Sequence, residues 1–285
     1  MAQISYLNGE FLPHEECKVP IDDRGLLFAD ALYEAWCSHN KVFFGSREHM
    51  ARLRYGAEQI KLDIPWSDDE IIGVAEKLQE LNGLTNTLVY LQVSRGVAPR
   101  LHQFPKDAKP SIFMTARPAK FPSWEDRQKG IKCVTFPDLR WGRCDIKTVN
   151  LLPNVLARQA AAEKGCYEAI LIRDGVAIEA AAANFYAVLD GKIYTYPKTP
   201  RILGGITRSF IFKFAKELGI PIVEEGIPEE KIWTAQEMFI SSVSIDVYPV
   251  TNVDGKVAGG GKMGPVSLAL YKKFHEVNWG EPLKI

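Results

Sequence analysis

Apolar residues in this chain recur in short runs of two different periods, and that mixture constrains the fold more than any other feature. Ile4-Ser5-Tyr6-Leu7 and Phe11-Leu12 flank Asn8-Gly9, a pair suited to a type I′ turn, so an N-terminal hairpin is expected. Leu32 to Phe44 reads as a second pair of strands around His39-Asn40-Lys41. The period then changes. Met50, Leu53, Ala57 and Ile60 follow Ser46 at helical spacing, with Ser46 expected as the N-cap. Ser67 and Glu70 form a capping-box signature ahead of Ile71, Ile72, Ala75, Leu78 and Leu81, and Gly83 supplies the stop. Strands are expected at 87–94, 112–115, 132–136 and 238–244, and around the Asp174-Gly175 and Asp190-Gly191 turns. Helices are expected at 155–164, 207–218 (closed by Gly219) and 266–277. Neither an all-helical nor an all-strand fold accommodates both periods, so the expectation is a mixed α/β architecture.

The stretch 117–124, with Pro118 and Pro122, is the best linker candidate, which divides the chain into a smaller domain over 1–119 and a larger one over 120–285. Ligand sites favour domain interfaces. With 35 basic and 35 acidic side chains the formal charge is zero, which leaves nothing to drive binding to nucleic acid or an anionic membrane surface. A 46% hydrophobic content argues against disorder. No apolar run approaches the roughly 18–20 residues needed to cross a bilayer. The N-terminus shows no secretory pattern, and Cys17, Cys37, Cys133, Cys144 and Cys166 lack Cys-x-x-Cys spacing, so a cytoplasmic protein with reduced thiols is expected. The five histidines have no metal-ligand spacing, so no metal is expected. Gly259-Gly260-Gly261-Lys262-Met263-Gly264 matches G-x-G-x-x-G formally. It lies too near the end of the chain to complete a dinucleotide-binding unit, and Met263 stands where a P-loop needs a hydroxyl, so it reads as a turn before the last helix.

Four local features carry chemistry when taken together. Lys147 follows Arg140-Trp141-Gly142-Arg143-Cys144-Asp145-Ile146 and precedes Leu151-Leu152-Pro153. Partial desolvation and a nearby arginine would both favour its neutral amine, as Schiff-base chemistry requires; the ordinary alternative is a surface lysine. Glu179 sits in Ala177-Ile178-Glu179-Ala180-Ala181-Ala182-Ala183-Asn184-Phe185, where a carboxylate is costly to bury unless it meets a cation such as a pyridinium nitrogen; the ordinary alternative is an exposed hairpin glutamate. In Arg100-Leu101-His102 an extended backbone would point both cationic side chains one way, matched to a carboxylate, against the alternative of a solvated loop. Finally, Arg52 on a helix and Gly204-Gly205-Ile206-Thr207 opening another suit phosphate capture. Plain helix punctuation is the alternative there.

In this order the four features resemble the fold-type-IV pyridoxal-phosphate enzymes, most closely the bacterial D-amino-acid transaminases. The likeness runs from Asp23-Arg24-Gly25 and Asp30-Ala31-Leu32-Tyr33-Glu34 to Phe239-Ile240-Ser241-Ser242. Arg143-Cys144-Asp145-Ile146-Lys147 is similar to the lysine-bearing segment, with Gly165-Cys166-Tyr167-Glu168-Ala169-Ile170-Leu171 and Gly205-Ile206-Thr207-Arg208 similar to its flanking signatures. Arg100-Leu101-His102-Gln103-Phe104-Pro105 resembles the carboxylate-binding loop of the D-amino-acid group.

The resemblance implies a small N-terminal α/β domain and a larger C-terminal pseudo-barrel domain carrying the Schiff-base lysine, with pyridoxal 5′-phosphate between them. Lys147 would hold the cofactor and shuttle a proton at substrate Cα, and Glu179 would pair with the ring nitrogen. Arg52, Ile206 and Thr207 would hold the phosphate, assisted by Ser244 and the Val243 backbone, while Leu203 packs on the ring. Tyr33, Arg100 and His102 would face the substrate, the last two contributed by the partner subunit of a homodimer. Two departures stand out: Ala181-Ala182-Ala183 replaces a run usually rich in serine, and Val243 replaces a common hydroxyl. The expected reaction is transamination of a D-amino acid with a 2-oxo acid such as 2-oxoglutarate. The alternatives are a branched-chain L-amino-acid transaminase, an R-amine transaminase, an aminodeoxychorismate lyase, or a non-catalytic cofactor-binding protein.

Overall fold

The computed structural model describes residues 3–280, 282 and 283. They form two compact units, one within Met1–Lys120 together with Ile146–Asn150, the other within Phe121–Asp145 and Leu151–Ile285.

In the first unit, β1 (Ile4–Leu7) and β2 (Glu10–Pro13) make the expected hairpin, with Asn8 and Gly9 both at positive φ (49° and 108°) as a type I′ turn requires. There follow α1 (Arg24–Phe28), β3 (Ala31–His39), β4 (Val42–Phe43), α2 (Ser46–Gln59), α3 (Asp68–Leu81), β5 (Thr87–Ser94) and β6 (Ser111–Pro118). The strands build a six-stranded sheet in the order β2-β1-β6-β5-β3-β4. Its buried core joins Leu32, Trp36, Val89, Leu91 and Met114 to Met50, Leu53, Ile71 and Leu78 from α2 and α3. The Ser67–Glu70 capping box is present at the start of α3. Ser46 is not a cap, however. Gly45 takes the N-cap position at φ 66°, a left-handed turn out of β4, and Ser46 is already helical.

The second unit contains α4 (Trp124–Lys129), β7 (Ile131–Pro137), α5 (Leu152–Glu163), β8 (Glu168–Arg173), β9 (Val176–Ala180), β10 (Asn184–Leu189), β11 (Lys192–Thr195), α6 (Ile206–Glu217), β12 (Ile222–Glu224), β13 (Ile227–Pro228), β14 (Glu237–Ser242), β15 (Asp246–Val253), β16 (Lys256–Val257) and α7 (Pro265–Trp279). Its larger sheet runs β12-β11-β10-β14-β15-β7-β8-β9-β13, with β16 attached to β15. β7 and β8 are parallel and joined through α5, the connection that parallel strands need. The expected strand at 238–244 ends at Ser242, so Val243 and Ser244 lie in the turn to β15. The triple-glycine segment is a short 3-10 turn before α7.

Lys147 is covalently in the stretch between β7 and α5, which the linker-based division counts with the larger domain. Hydrogen bonds tie it instead to β3: Tyr33 N donates to Lys147 O at 3.0 Å, Val149 N donates to Ala31 O at 3.2 Å, and Leu32 bridges Thr148. Sheet edges left without a partner recruit passing backbone, and here the recruit is the lysine segment.

Candidate active site

Four constellations hold the residues singled out in the sequence. In the first, Lys147 Nζ lies 4.1 Å from the centroid of the Tyr33 ring, which stacks on Tyr90 with centroids 5.6 Å apart. Lys147 and Tyr33 are half-buried. The ring supplies a face that attracts the ammonium while leaving its protons free for other partners.

The second is built by alternation in β3. Leu32, Glu34 and Trp36 point into the core under α2, and Tyr33 points the other way. His49 and Arg52, one turn apart on α2, both reach Glu34: Arg52 Nε and Nη2 each donate at 2.8 Å, and His49 Nδ1 sits 2.7 Å away. Burial alone would raise the Glu34 carboxyl, but the charge and hydrogen bonds of Arg52, with the hydrogen bond from His49, outweigh it and hold Glu34 well below the usual range. Burial drives His49 the other way, towards the neutral ring, assisted by the charges of Arg52 and Lys147. Arg52 is thus gripped through two nitrogens from behind, a fork that fixes where the rest of the guanidinium faces.

The third surrounds Glu179. Residues directly opposite across a strand pair share a face. Ala177 pairs with Ile172 but Glu179 pairs with Leu171, so a bulge intervenes and Ile178 is the extra residue. The bulge puts Ala177 and Glu179, two apart in sequence, on opposite faces. Glu179 is buried, which rules out the exposed-hairpin alternative. Arg140 Nη1 donates to its Oε1. Arg140 is itself gripped by Asp138 (Nε 2.8 Å, Nη2 3.0 Å), and Arg173 completes the cluster 2.8 Å from Asp138. The remaining partners of Glu179 are longer: Leu203 N at 3.3 Å to either oxygen and Asn184 Nδ2 at 3.4 Å. Burial raises the Glu179 carboxyl, and Arg140 offsets this only in part.

Asn184 links this cluster to the start of α6, donating to Leu203 O at 2.9 Å. A Cβ on Gly205 would lie 2.1 Å from Asn184 Oδ1, so no larger residue fits there. Gly205 is the N-cap of α6 and offers no side chain, leaving the first amides of Ile206-Thr207-Arg208 without an intrahelical acceptor. Val243 and Ser244 are half-buried in their turn.

In the fourth, the loop after Pro99 is irregular, not extended, yet Arg100 and His102 still face one way. Both lie on Phe28, with the Arg100 guanidinium 5.3 Å and the His102 ring 5.4 Å from its centroid. Both are exposed.

These residues fit pyridoxal phosphate. A buried carboxylate with only partial compensation and long remaining hydrogen bonds is a site for one more cation, which a protonated ring nitrogen supplies. In the second unit the uncapped start of α6 suits an anion; in the first, the guanidinium held by Glu34 suits one too, and Lys147 carries an amine. No group of His, Cys, Asp and Glu suited to a metal occurs among the described residues. Sequence reasoning missed Glu34, His49, Asp138, Arg173 and Asn184. The one available signal was charge at core-phase positions, such as Glu34 between Leu32 and Trp36.

The family model for amino-transferase class IV matches residues 31–253. The D-alanine aminotransferase of Staphylococcus haemolyticus is 40% identical over 272 residues, 95% of this chain and 96% of the relative. That of Bacillus licheniformis is 38% identical over 260 residues, 91% and 92% of the two chains. A branched-chain amino acid aminotransferase from Escherichia coli superposes with a TM-score of 0.93 at 28% identity, covering 100% of this chain and 97% of that one. The match spans both units, including the lysine segment, the buried glutamate and the uncapped helix, and the chain therefore belongs to the class-IV aminotransferases, a family of pyridoxal-phosphate enzymes.

Proposed function

We propose that this aminotransferase acts on D-amino acids of the D-alanine and D-glutamate type, with a 2-oxo acid such as 2-oxoglutarate as acceptor. The observation that carries the substrate class is the exposed Arg100–His102 pair on Phe28, in a chain 40% identical to a D-alanine aminotransferase. Two adjacent cationic donors match an α-carboxylate, and an amine without a carboxylate has no use for them. Identity to the branched-chain structure is lower, at 28%.

Pyridoxal phosphate supplies a carbonyl that captures an amino group and a ring that withdraws electrons from the substrate Cα. Lys147 would anchor it and, once released, would move the proton at Cα; Tyr33 would keep the amine in place through its ring face. Glu179 would hold the ring nitrogen protonated, oriented by Arg140. Arg52 and the amides of Ile206 and Thr207 would hold the phosphate, assisted by Ser244 and the Val243 backbone, and Leu203 would pack on the ring. Arg100 and His102 bind the substrate carboxylate.

A homodimer completes the reading. Leu152, Val155 and Leu156 expose apolar side chains on one face of α5, and Leu101 and Phe104 do so in the clamp loop, a pattern that favours a partner surface. Sedimentation of the holoprotein as a monomer would overturn this. The free cysteines support a reducing, cytoplasmic compartment, and no described helix is long and apolar enough to cross a membrane.

The deciding experiment is a half-reaction screen. D-alanine added to the yellow holoprotein should discharge its visible absorbance and release pyruvate, while L-leucine and R-phenylethylamine should act slowly or not at all. Faster discharge by L-leucine would transfer the protein to the branched-chain group, and discharge by none of the three would leave the lyase and the non-catalytic readings.

A further inference from the structure

The loop carrying Arg100 and His102 has little of its own to hold it. Leu101 and Phe104 are exposed, and the loop's short-range backbone bond runs from Leu101 N to Pro99 O at 2.7 Å. Its anchor is a buried arginine distant in sequence. Arg24, 3% exposed, donates Nη1 to Leu101 O at 2.6 Å and Nη2 to His102 O at 3.4 Å. Its Nε donates to Asp30 Oδ2 at 2.8 Å. Asp30 also receives Arg95 through Nε at 2.8 Å and Nη2 at 3.0 Å. Arg95 in turn donates to Ile60 O at 2.7 Å and Lys61 O at 2.8 Å just past the end of α2, and lies 3.8 Å from the Phe104 ring centroid. A continuous chain of charged contacts therefore runs from the end of α2 to the loop carbonyls. The Phe28 ring closes it, with the Arg24 guanidinium 4.8 Å from its centroid, on the ring that also receives Arg100 and His102.

Burying an arginine without full use of its donors is costly, and a guanidinium's three nitrogens reach two carbonyls and a carboxylate in fixed, separate directions, which the single nitrogen of a lysine does not. Of the two carbonyls it holds, that of Leu101 lies in the peptide unit that enters His102 and that of His102 in the unit that leaves it. Holding them fixes the direction in which Arg100 and His102 leave the backbone.

We propose that Arg24, braced by Asp30 and faced by Phe28, is the positioning residue that sets the Arg100–His102 pair for the substrate α-carboxylate. Arg24 touches no substrate; it acts through the loop. The proposal rests on the carboxylate-clamp reading above, and the experiment separates the two.

Aminooxyacetate and O-methylhydroxylamine both capture the carbonyl of bound pyridoxal phosphate and bleach its visible band, but only the first carries a carboxylate. The ratio of their second-order capture rates on the holoprotein isolates carboxylate recognition from cofactor chemistry and from general loosening. Arg100→Ala should lower the ratio by about tenfold or more, the scale of one lost charge-assisted contact. Arg24→Met should lower it about tenfold with Arg100 and His102 both present, while the O-methylhydroxylamine rate stays within about twofold. Asp30 keeps Arg95 in that variant, so its charge remains paired. Should Arg24→Met fail to fold, Phe28→Leu decides, with an expected drop of several-fold. An unchanged ratio in Arg24→Met, or in Phe28→Leu where that variant decides, beside a lowered ratio in Arg100→Ala, overturns the proposal and spares the clamp. An unchanged ratio in Arg100→Ala overturns the clamp, and the proposal with it.

Discussion

Glu179 is a carboxylate that the fold has taken out of water and then only partly compensated. Burial pushes its carboxyl up, Arg140 draws it back, and Asp138 holds Arg140 in place through two donors. The arginine is subject to the same opposition: burial disfavours its charge, but Glu179 and Asp138 outweigh that and push its pKa up. Two arginines face two acids in this cluster, so removing one acid leaves a surplus cation within it. If Glu179 pairs with the ring nitrogen as proposed, Glu179→Gln should retain pyridoxal phosphate but slow the single-turnover reaction with D-alanine by about tenfold or more, because the nitrogen would lose the charge that keeps it protonated. Unchanged single-turnover traces would return Glu179 to a structural role. Lys147→Ala removes the amine itself. The absorbance of the lysine-bound cofactor should vanish and turnover fall by orders of magnitude, as measured by spectrum and pyruvate release.

At the level of elements, the bulge in β9 and the start of α6 each set the place of one group, the Glu179 carboxylate and the first amides of the helix. The bulge turns Glu179 away from the face of Ala177. The two glycines ahead of α6 bring helix and Asn184 together, but they are not equivalent. A Cβ on Gly205 meets Asn184 Oδ1 at 2.1 Å, whereas one on Gly204 has its nearest contacts with the outer part of the Lys198 side chain, Cε at 2.9 Å, near the far end of a flexible chain. Gly205→Ala should cost about 1–3 kcal/mol of stability, as overpacking does, and should speed loss of the cofactor by displacing Asn184 from Leu203 and Glu179. Gly204→Ala should change either quantity little. Equal effects in thermal melts and in cofactor dissociation would show that the close approach at Gly205 has no special role.

Across the molecule, one buried acid ties folding to pH. Asp246 opens β15, accepts from Asn278 Nδ2 of α7 at 3.0 Å and lies 3.8 Å from Arg127 of α4. Burial raises its pKa from 3.8 to about 6 against the opposing pull of Arg127 and Asn278. A raised folded-state pKa means that the native protein binds this proton more tightly than the unfolded chain does. The contribution is full below pH 3.8, declines as pH rises through about 6, and is absent above that. Asp246→Asn should flatten the part of the denaturant-midpoint profile that falls between pH 4.5 and 6.5, values that bracket the folded-state pKa of about 6. A wild-type slope preserved in the variant would assign that pH dependence to other groups.

What the sequence determined by itself lies within a few residues along the chain. The Asn8-Gly9 turn, the Ser67–Glu70 capping box, the helices expected over 207–218 and 266–277 (each starting one residue earlier, at Ile206 and Pro265) and the strand at 87–94 all follow from spacing and side-chain chemistry that a local hydrogen-bond pattern reads directly. So does the family likeness around Lys147 and Gly205. The Ser46 cap failed at the same range, because the left-handed exit from β4 required Gly45, and that turn exists only once β3 and β4 are paired. Tertiary structure alone decided what surrounds each candidate residue. Arg140 and Glu179 are separated by 39 residues, Arg95 and Asp30 by 65, and Arg24 reaches a carbonyl 77 residues away. Pairings at that range depend on strand register and on which loop crosses which sheet edge. Those in turn depend on the burial of many side chains at once, so no local spacing along the chain encodes them.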